Sequence, residues 1–287
     1  MYIIKNDRLR AEFTSVGAEL LSLQDIDGTE YMWQRTDKEF QQTAPLLFPF
    51  VSWLQDNTYQ YQGKRYELPF LEFAQHKNFT VSEQDENGIL FQLKSDAGTK
   101  IMYPFDFTFL ASYRLEGDTL FVEFTIKNDD VENMYFAFGW HPTFHVPIEN
   151  NLKFEDYYYD FHEKCTPRKI IRDENKYFGG YEAFPLEDQH ILRLNQETVS
   201  GVQVIEGTSK HVSIRSDRGK KAVDITYPDM NLLVIFHKKN KDFITVEAWS
   251  SSMGRKGIIE DFEKKPDLLS LEAGGVYKNK WIIHCQF

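Results

Sequence analysis

Cysteine and positive charge are scarce in this sequence of 287 residues. Its two cysteines, Cys165 and Cys285, are too few for a disulfide framework or a cysteine-rich zinc site. Lysine and arginine together number 33 against 44 aspartates and glutamates, which gives a formal net charge of −11. Phosphate backbones and anionic lipid surfaces repel so acidic a chain. We therefore expect neither general nucleic-acid binding nor membrane association.

Long apolar runs and the common phosphate-binding motifs are also missing. No stretch reaches the length of a membrane span, and charged residues follow the short apolar start at once, unlike a signal peptide. There is no glycine-rich phosphate loop and no Gly-x-Ser-x-Gly elbow. His141 and His145 would chelate a metal only on a helix, and Pro142 favours an extended chain in which they lie roughly 13 Å apart. We expect no metal site, and a soluble protein of the reducing, cytoplasmic compartment.

Aromatic residues are abundant, at 15% of the chain within an apolar share of 41%. Many segments place apolar side chains at every second position, which is the period of a half-buried strand. Turn sequences such as Asn87-Gly88 separate these segments. The clearest alternating groups are Ile89, Phe91 and Leu93; Phe107, Phe109, Ala111, Tyr113 and Leu115; Leu120, Val122, Phe124 and Ile126; and Val223, Ile225 and Tyr227. The pattern predicts an all-β sandwich or barrel.

No linker, repeat or change of composition marks a domain boundary. Residues 1–287 are therefore predicted to form a single antiparallel β domain. Short helical turns are predicted after Asp37 and within residues 257–264. Residues 150–189 are the least regular part, with clustered tyrosines and Gly179-Gly180, and are predicted to form long loops or a lobe on the sandwich.

A histidine follows an aromatic strand in the segment Phe136-Ala-Phe-Gly-Trp-His-Pro-Thr-Phe144. Pro142 keeps His141 extended. The commonest role of a lone histidine is structural, with its ring nitrogens bonded to backbone groups. The alternative is a histidine presented at a strand end, where titration near neutral pH suits proton transfer.

A carboxylate interrupts a second aromatic strand, Phe243-Ile-Thr-Val-Glu-Ala-Trp249. Alternate residues of this segment are apolar, so Glu247 leaves the strand on the face shared with Thr245 and Trp249. Desolvation among aromatic groups raises the pKa of a carboxyl group and strengthens it as a base. The structural alternative is an edge glutamate paired with a lysine such as Lys239. One acid and one base beside aromatic rings are what sugar chemistry needs, which favours the functional interpretation of both segments.

These segments, with others in the same order, resemble the aldose 1-epimerase (galactose mutarotase) superfamily and, more closely, its bacterial LacX-like branch. The resemblance covers nearly the whole chain, and the order and spacing of its segments make it specific. The segments are Gly17-Ala-Glu-Leu20, Asp27-Gly-Thr-Glu-Tyr-Met-Trp33, Ala44-Pro-Leu-Leu-Phe-Pro49, Tyr61-Gln-Gly-Lys-Arg-Tyr-Glu-Leu-Pro69, Tyr103-Pro-Phe-Asp-Phe107, Gly139-Trp-His-Pro-Thr-Phe144, Val246-Glu-Ala-Trp249 and Leu271-Glu-Ala-Gly274. The resemblance implies a large twisted antiparallel β-sandwich with a sugar site on an open sheet face.

The resemblance also implies a role for each of the two singled-out residues. Glu247 is expected to take the proton from the anomeric hydroxyl, and His141 is expected to donate a proton to the ring oxygen. The ring then opens to the aldehyde, the C1–C2 bond rotates, and closure on the other face gives the other anomer. A positioned acid or base contributes roughly 10²–10⁴-fold per proton transfer. The implied partner is a small-molecule sugar, the implied class is an isomerase of carbohydrate metabolism, and no cofactor or metal is required.

Part of the family's sugar-binding shell is missing from this sequence. Trp53 stands where the branch has a pocket arginine, and Leu71-Glu-Phe-Ala-Gln75 stands where it has His-Gly-Phe-Ala-Arg. Ala248 and Gly275 replace a proline and a glutamate of the branch. His76, one residue beyond Gln75, is a candidate replacement for the absent histidine. The candidate pocket-lining residues are Trp53, Phe73, Gln75, His76 and Trp249, with core packing as the alternative for Phe73.

The sequence is compatible with three functions. The first is a mutarotase-like isomerase acting on an aldose or a sugar derivative. The missing shell residues also fit a non-catalytic carbohydrate-binding protein, in which Trp53 offers a stacking face. A phosphorylated-sugar epimerase is the least favoured, because phosphate recognition prefers arginine and the two expected arginines are Trp53 and Gln75.

Overall fold

The computed structural model describes residues 1–287, and most of its regular structure is β-strand. The strands are β1 (Tyr2–Lys5), β2 (Leu9–Phe13), β3 (Leu20–Asp25), β4 (Leu46–Leu47), β5 (Thr58–Tyr61), β6 (Lys64–Glu67), β7 (Thr80–Gln84), β8 (Gly88–Lys94), β9 (Phe107–Glu116), β10 (Thr119–Asn128), β11 (Met134–Phe136), β12 (Gly139–Trp140), β13 (Thr143–His145), β14 (Tyr158–Asp160), β15 (Arg168–Arg172), β16 (Phe178–Ala183), β17 (Ile191–Arg193), β18 (Gly201–Glu206), β19 (His211–Arg215), β20 (Ala222–Thr226), β21 (Leu232–His237), β22 (Phe243–Thr245), β23 (Glu247–Trp249), β24 (Glu260–Asp261), β25 (Leu269–Leu271) and β26 (Val276–Gln286). The helical elements are α1 (Ala97–Met102) and three 3₁₀ turns, Gln55–Asn57, Ala74–His76 and Phe154–Asp156. None of these helices has the length and apolar composition needed to cross a bilayer.

Two large sheets dominate the molecule. The strand order of the first is β17-β14-β19-β20-β26-β10-β9-β8-β7, and that of the second is β16-β15-β18-β21-β23-β12-β4. Smaller sheets are formed by β1-β2-β3 and by β24-β5-β6, and β11-β25 and β13-β22 form pairs. Neighbouring strands are antiparallel throughout, except that β24 runs parallel to β5. The predicted all-β class and large antiparallel sandwich are confirmed.

The alternating faces predicted from the sequence are buried in the core. On β10, Val122 and Phe124 are at most 2% exposed, whereas Phe121 is 38% exposed. The pairing of β9 with β10 sets Tyr113 opposite Val122 and Ala111 opposite Phe124, so the apolar faces of the two strands lie on the same side. Burial of such faces, at about 25 cal/mol per Å² of apolar surface, is the main source of stability. The resulting core is one continuous cluster of 73 residues drawn from all parts of the chain.

The structure differs from the local expectations in several places. Residues 150–189 contain β14 and the β15–β16 hairpin rather than loops alone, and this hairpin forms one edge of the seven-stranded sheet. Few of its residues are buried, so the hairpin lacks the alternation that reveals a strand. Residues 257–264 form turns and β24 instead of helical turns. The one α-helix, α1, was not predicted, although Asp96 and Thr99 form a capping box at its start.

Candidate active site

The register of two neighbouring strands brings His141 and Glu247 together. β12 pairs with β23 so that Trp140 lies opposite Ala248, and the adjacent residues on each strand therefore face one another. His141 Nε2 lies 3.0 Å from Glu247 Oε1. Two residues that the sequence singled out separately thus form one buried pair.

The pair lies on the face of the seven-stranded sheet that is turned away from the nine-stranded sheet. Trp140, which precedes His141, packs against Phe124 and Trp281 of the nine-stranded sheet, with ring centroids 5.4 and 5.1 Å away. Because successive side chains of a strand leave opposite faces, His141 points away from this core. The acid–base pair is therefore on an outer sheet face, where a ligand is able to approach it.

An aromatic side chain from the loop after β3 covers this face. The Phe40 ring lies over the imidazole of His141, with ring centroids 6.1 Å apart, and stacks on Phe243 at 4.7 Å. Under this cover His141 is 7% exposed and Glu247 is 2% exposed. A surface loop therefore contributes to the burial of the pair.

Asp37 anchors the covering loop to the sheet. Its carboxylate accepts the backbone N–H of Glu39 at 2.9 Å and forms ion pairs with Lys238 and Lys241 at 3.3 and 3.1 Å. The helical turn predicted after Asp37 is absent, because an isolated bridge between Asp37 and Phe40 closes the loop as a tight turn. The same bridge holds Phe40 in place over the pair.

The polar atoms of the site are only partly satisfied. Thr245 Oγ1 donates to Glu247 Oε1 at 2.9 Å and accepts the backbone N–H of Phe236 at 2.7 Å. His141 Nδ1 and Trp249 Nε1 are buried without a hydrogen-bond partner. The Trp249 N–H lies near enough to the Glu247 carboxylate to lower its pKa, yet it has no acceptor in hydrogen-bonding geometry. Buried polar groups in folded proteins are normally paired, so these two indicate a site that a polar ligand completes.

Burial changes the protonation of both members of the pair. Desolvation raises the pKa of Glu247 to about 8, and the hydrogen bond from Thr245 and the positive charge of Arg172 oppose this rise. Desolvation lowers the pKa of His141 to about 4. Both shifts favour the neutral forms, so at neutral pH the pair holds one proton in common.

Gly139 allows the Trp249 indole to lie against β12. A Cβ atom at position 139 would come within 2.9 Å of Trp249 Cδ1 and 3.0 Å of the Ala248 carbonyl oxygen. We expect Gly139→Ala to displace the indole and to lower the free energy of unfolding by ~1–3 kcal/mol, as overpacking does. Urea denaturation measures the change, and Gly98→Ala on α1 is the control. A Gly139→Ala protein as stable as the wild type would contradict the expectation.

A sequence model of the aldose 1-epimerase family matches residues 1–283. The chain belongs to the aldose 1-epimerase family. The plasmid-encoded protein LacX of Lactococcus lactis subsp. lactis is 29% identical, and the match covers 94% of this chain and 95% of LacX. The resemblance stated from the sequence is thereby confirmed.

Solved structures agree with this family assignment. A galactose mutarotase related enzyme from Lactobacillus acidophilus superposes with a TM-score of 0.93 at 26% identity, covering 100% of this chain and 97% of that chain. A galactose mutarotase-like protein from Lactobacillus casei gives a TM-score of 0.90 at 26% identity and covers both chains completely. This aldose 1-epimerase family member therefore has a galactose mutarotase-like fold.

The two tryptophans predicted to line the pocket have different surroundings in this aldose 1-epimerase family member. Trp249 lies beside Glu247, as its strand position predicts. Trp53 is partly buried, packs on Phe70 with ring centroids 4.0 Å apart, and has Lys176 Nζ 4.4 Å from its own ring centroid. Trp53 therefore already has an aromatic and a cationic neighbour.

The remaining predicted lining residues are Phe73, Gln75 and His76. Phe73 is 2% exposed and packs edge-on against Phe48 in the core, which matches the alternative interpretation of this residue. Gln75 and His76 contact each other at 3.2 Å, and the His76 side chain is 57% exposed with Glu72 3.7 Å away. The structure records no hydrogen bond or ion pair from either residue to the pair. His76 thus lies on the surface, and its role as a replacement for the absent family histidine stays a prediction.

Two residues of the site were not predicted from the sequence. Phe40, described above, is a single aromatic residue in a polar loop, which offers no periodic signal. Arg172 ends β15, and its Nη2 donates to the carbonyl oxygen of Val202 at 3.0 Å. The segment Arg168-Lys-Ile-Ile-Arg172 has no alternation of apolar and polar residues, so nothing in the sequence marked Arg172 as part of a strand.

One group of residues elsewhere has the composition of a metal site. The potential ligand atoms of His162, His211 and Asp224, on the outer surface of the nine-stranded sheet, all lie within 4.8 Å of one another. The two imidazole rings are stacked 4.1 Å apart and nearly parallel, so their lone pairs do not converge on one point. Asp224 already accepts hydrogen bonds from Ser213 and His284. The arrangement is that of a hydrogen-bond network, and it does not fit a metal ion.

Proposed function

We propose that this protein is a mutarotase-like isomerase that interconverts the α and β anomers of an aldose by general acid–base ring opening. The proposal is supported most directly by the buried contact of 3.0 Å between His141 Nε2 and Glu247 Oε1. Membership of the aldose 1-epimerase family supports the reaction class. The roles proposed for Glu247 as base and His141 as acid are those that the family resemblance implies.

The protonation of the pair suits this chemistry. Movement of the shared proton across the 3.0 Å contact converts a neutral acid and a neutral imidazole into a carboxylate and an imidazolium. These are the base and the acid that ring opening needs at the same time. Away from water a single charged group is unfavourable, whereas a carboxylate and an imidazolium in contact stabilise each other.

The reaction balances without any other reactant. Glu247 takes the proton of the anomeric hydroxyl, the C1–O5 bond breaks with its electrons moving to O5, and O5 takes the proton of His141. Rotation about C1–C2 presents the other face of the aldehyde. On closure O5 returns its proton to His141, and Glu247 gives its proton to O1. The pair thereby regains its starting state.

The unpartnered Trp249 N–H and the aromatic cover provide a place for the sugar. Trp249 Nε1 is buried beside the carboxylate and lacks an acceptor, which a sugar hydroxyl supplies. Phe40 and Phe236 are aromatic neighbours, with ring centroids 5.3 Å apart, on the same face. Entry of a sugar requires Phe40 to move, because the loop now leaves the pair almost fully buried.

The proposal predicts that the wild-type protein accelerates anomer exchange. Two-dimensional exchange NMR measures the interconversion of α- and β-glucose and of α- and β-galactose at equilibrium, with buffer alone as the reference. Glu206→Gln removes an exposed carboxylate that pairs with Arg168, and this control variant should match the wild type. Exchange no faster than buffer across a panel of aldoses would refute the isomerase. Sugar binding without exchange would favour the carbohydrate-binding alternative.

A further inference from the structure

A second charged side chain lies on the same sheet face as the acid–base pair. Ile170, Val204, Val234 and Glu247 lie opposite one another on successive strands, so they share one face. The pairing of β15 with β16 shifts at Arg172 because β16 has one extra residue, Gly179; β15 itself continues to alternate, so Arg172, two residues beyond Ile170, leaves it on that face too. It lies three strands from Glu247, which is ~14 Å at about 4.8 Å per strand.

The surface between the two charged residues is a short apolar strip. Val202 and Phe236 pair with each other across β18 and β21 and stand between Arg172 and the strand of Glu247. Both are only partly buried, unlike the residues that face the core. The strip thus has an arginine at one end, the His141–Glu247 pair at the other and Phe40 above it.

Arg172 lacks the partner that a half-buried guanidinium needs. Its one hydrogen bond goes to the carbonyl oxygen of Val202, and no carboxylate lies within ion-pair distance. Arg168, on the same strand, is by contrast paired with Glu206. A guanidinium carries five N–H donors, and those of Arg172 that make no hydrogen bond still reach solvent. The free donors of Arg172 are therefore available to a ligand on the strip.

Contacts at the tip of the β15–β16 hairpin fix the position of Arg172. Lys176 Nζ lies over the ring of Trp53 at 4.4 Å, and Lys256 Nζ lies 3.0 Å from the carboxylate of Asp173. Each contact joins the hairpin to a different loop of the molecule. Trp53, which stands where the branch has a pocket arginine, thus helps to hold another arginine in place.

We propose that Arg172 is a substrate-binding residue whose guanidinium donates hydrogen bonds to oxygens of a neutral aldose held between it and the His141–Glu247 pair. The inference rests on the proposed function only for the identity of the ligand as a sugar. Arg172 then supplies an arginine to a site whose acid–base pair is retained although positions 53 and 75 carry no arginine.

The test compares Arg172→Gln, Arg172→Lys and the control Arg168→Gln, which changes the same residue type on the same strand. We expect Arg172→Gln to raise KM for galactose roughly 10- to 100-fold, the loss typical of a charge-assisted hydrogen bond, with a smaller effect on kcat. Arg172→Lys should restore part of the loss. Arg168→Gln should stay within about twofold of the wild type. Equal KM values for Arg172→Gln and Arg168→Gln would overturn the proposal.

A second readout distinguishes a binding role from a merely structural one. The charge of Arg172 lowers the pKa of Glu247, so Arg172→Gln should raise that pKa and Arg172→Lys should leave it near the wild-type value. Carbon-13 NMR of labelled glutamate measures this titration without any turnover. No change in the Glu247 titration of Arg172→Gln would contradict the placement of Arg172 beside the site.

The two proposals fail in different ways. If the wild type binds galactose by calorimetry but does not exchange its anomers, the isomerase is refuted, while loss of binding in Arg172→Gln still supports the arginine's role. If Arg172→Gln loses affinity for galactose 6-phosphate alone, the arginine serves a phosphate and the proposal for a neutral aldose is overturned. If the wild type exchanges anomers and Arg172→Gln does so with an unchanged KM, only the arginine proposal fails.

Discussion

Replacing Glu247 by glutamine is expected to abolish anomer exchange and at the same time to stabilise the folded protein at alkaline pH. Glutamine has nearly the same shape, so its carbonyl oxygen can replace Oε1, where it accepts from Thr245 Oγ1 and from the Nε2–H tautomer of His141. It cannot accept a proton from the anomeric hydroxyl. The rate of exchange should fall by roughly 10²–10⁴-fold, toward that of buffer, as on loss of a general base.

The stability gain follows from the shifted pKa of Glu247. Burial raises the folded-state pKa of this carboxyl from 4.5 to about 8. The wild type therefore binds an extra proton in the folded state, and its stability falls as pH rises from about 4.5 through about 8. Glutamine does not titrate. The variant should thus gain on the wild type as pH rises, by ~1 kcal/mol or more above pH 8, at 1.36 kcal/mol per pKa unit.

Differential scanning calorimetry at pH 5, 7 and 9 measures this effect. We expect the melting temperature of Glu247→Gln to exceed that of the wild type by about 2 °C or more at pH 9, and by less at pH 5. Glu206→Gln, whose carboxylate is ion-paired with Arg168 at the surface, should show no such trend. A Glu247→Gln protein that is less stable than the wild type at pH 9 would contradict a raised pKa of Glu247 in the folded state.

The strands and the two principal site residues were predictable because their signals are local. Alternation of apolar residues identifies β9 and β10 without knowledge of their partners, and the aromatic surroundings of His141 and Glu247 are visible within single segments. Their meeting depends on the pairing of β12 with β23, which no local pattern encodes. The family resemblance supplied that expectation, and the register of Trp140 with Ala248 explains it.

The parts of the site that escaped prediction lie on surface elements. Phe40 and Arg172 come from a loop and from an edge hairpin, whose residues are not constrained by core packing and so lack periodicity. The predicted pocket roles of Gln75 and His76 rest on motif position alone. They follow a segment aligned with a family motif, but the chain turns at Ala74–His76 and directs His76 into solvent. A motif aligns a residue with a position in the family, but the local backbone decides in which direction its side chain points.

The pH dependence of exchange should reveal a pair that holds one proton. Burial lowers the pKa of His141 from 6.5 to about 4 and raises that of Glu247, so the productive single-proton state spans the neutral range. We expect kcat/KM to be flat near pH 7, to decline only well below pH 6.5, and to decline again near or above pH 8. These limbs belong to the pair and not to either residue alone. A limb centred on pH 6.5 would contradict a desolvated His141.

The last expectation concerns how His141 and Glu247 depend on each other. His141→Gln should lower the exchange rate by roughly 10²–10⁴-fold, because the ring oxygen then departs without a proton donor. The double variant His141→Gln/Glu247→Gln should be no slower than the slower single variant, since residues that act as one unit have non-additive effects. His145→Gln is the matched control, because burial also lowers the pKa of His145, which is not part of the pair. Losses in the double variant that multiply would mean that the two side chains act independently, and that the 3.0 Å contact between them has no part in catalysis.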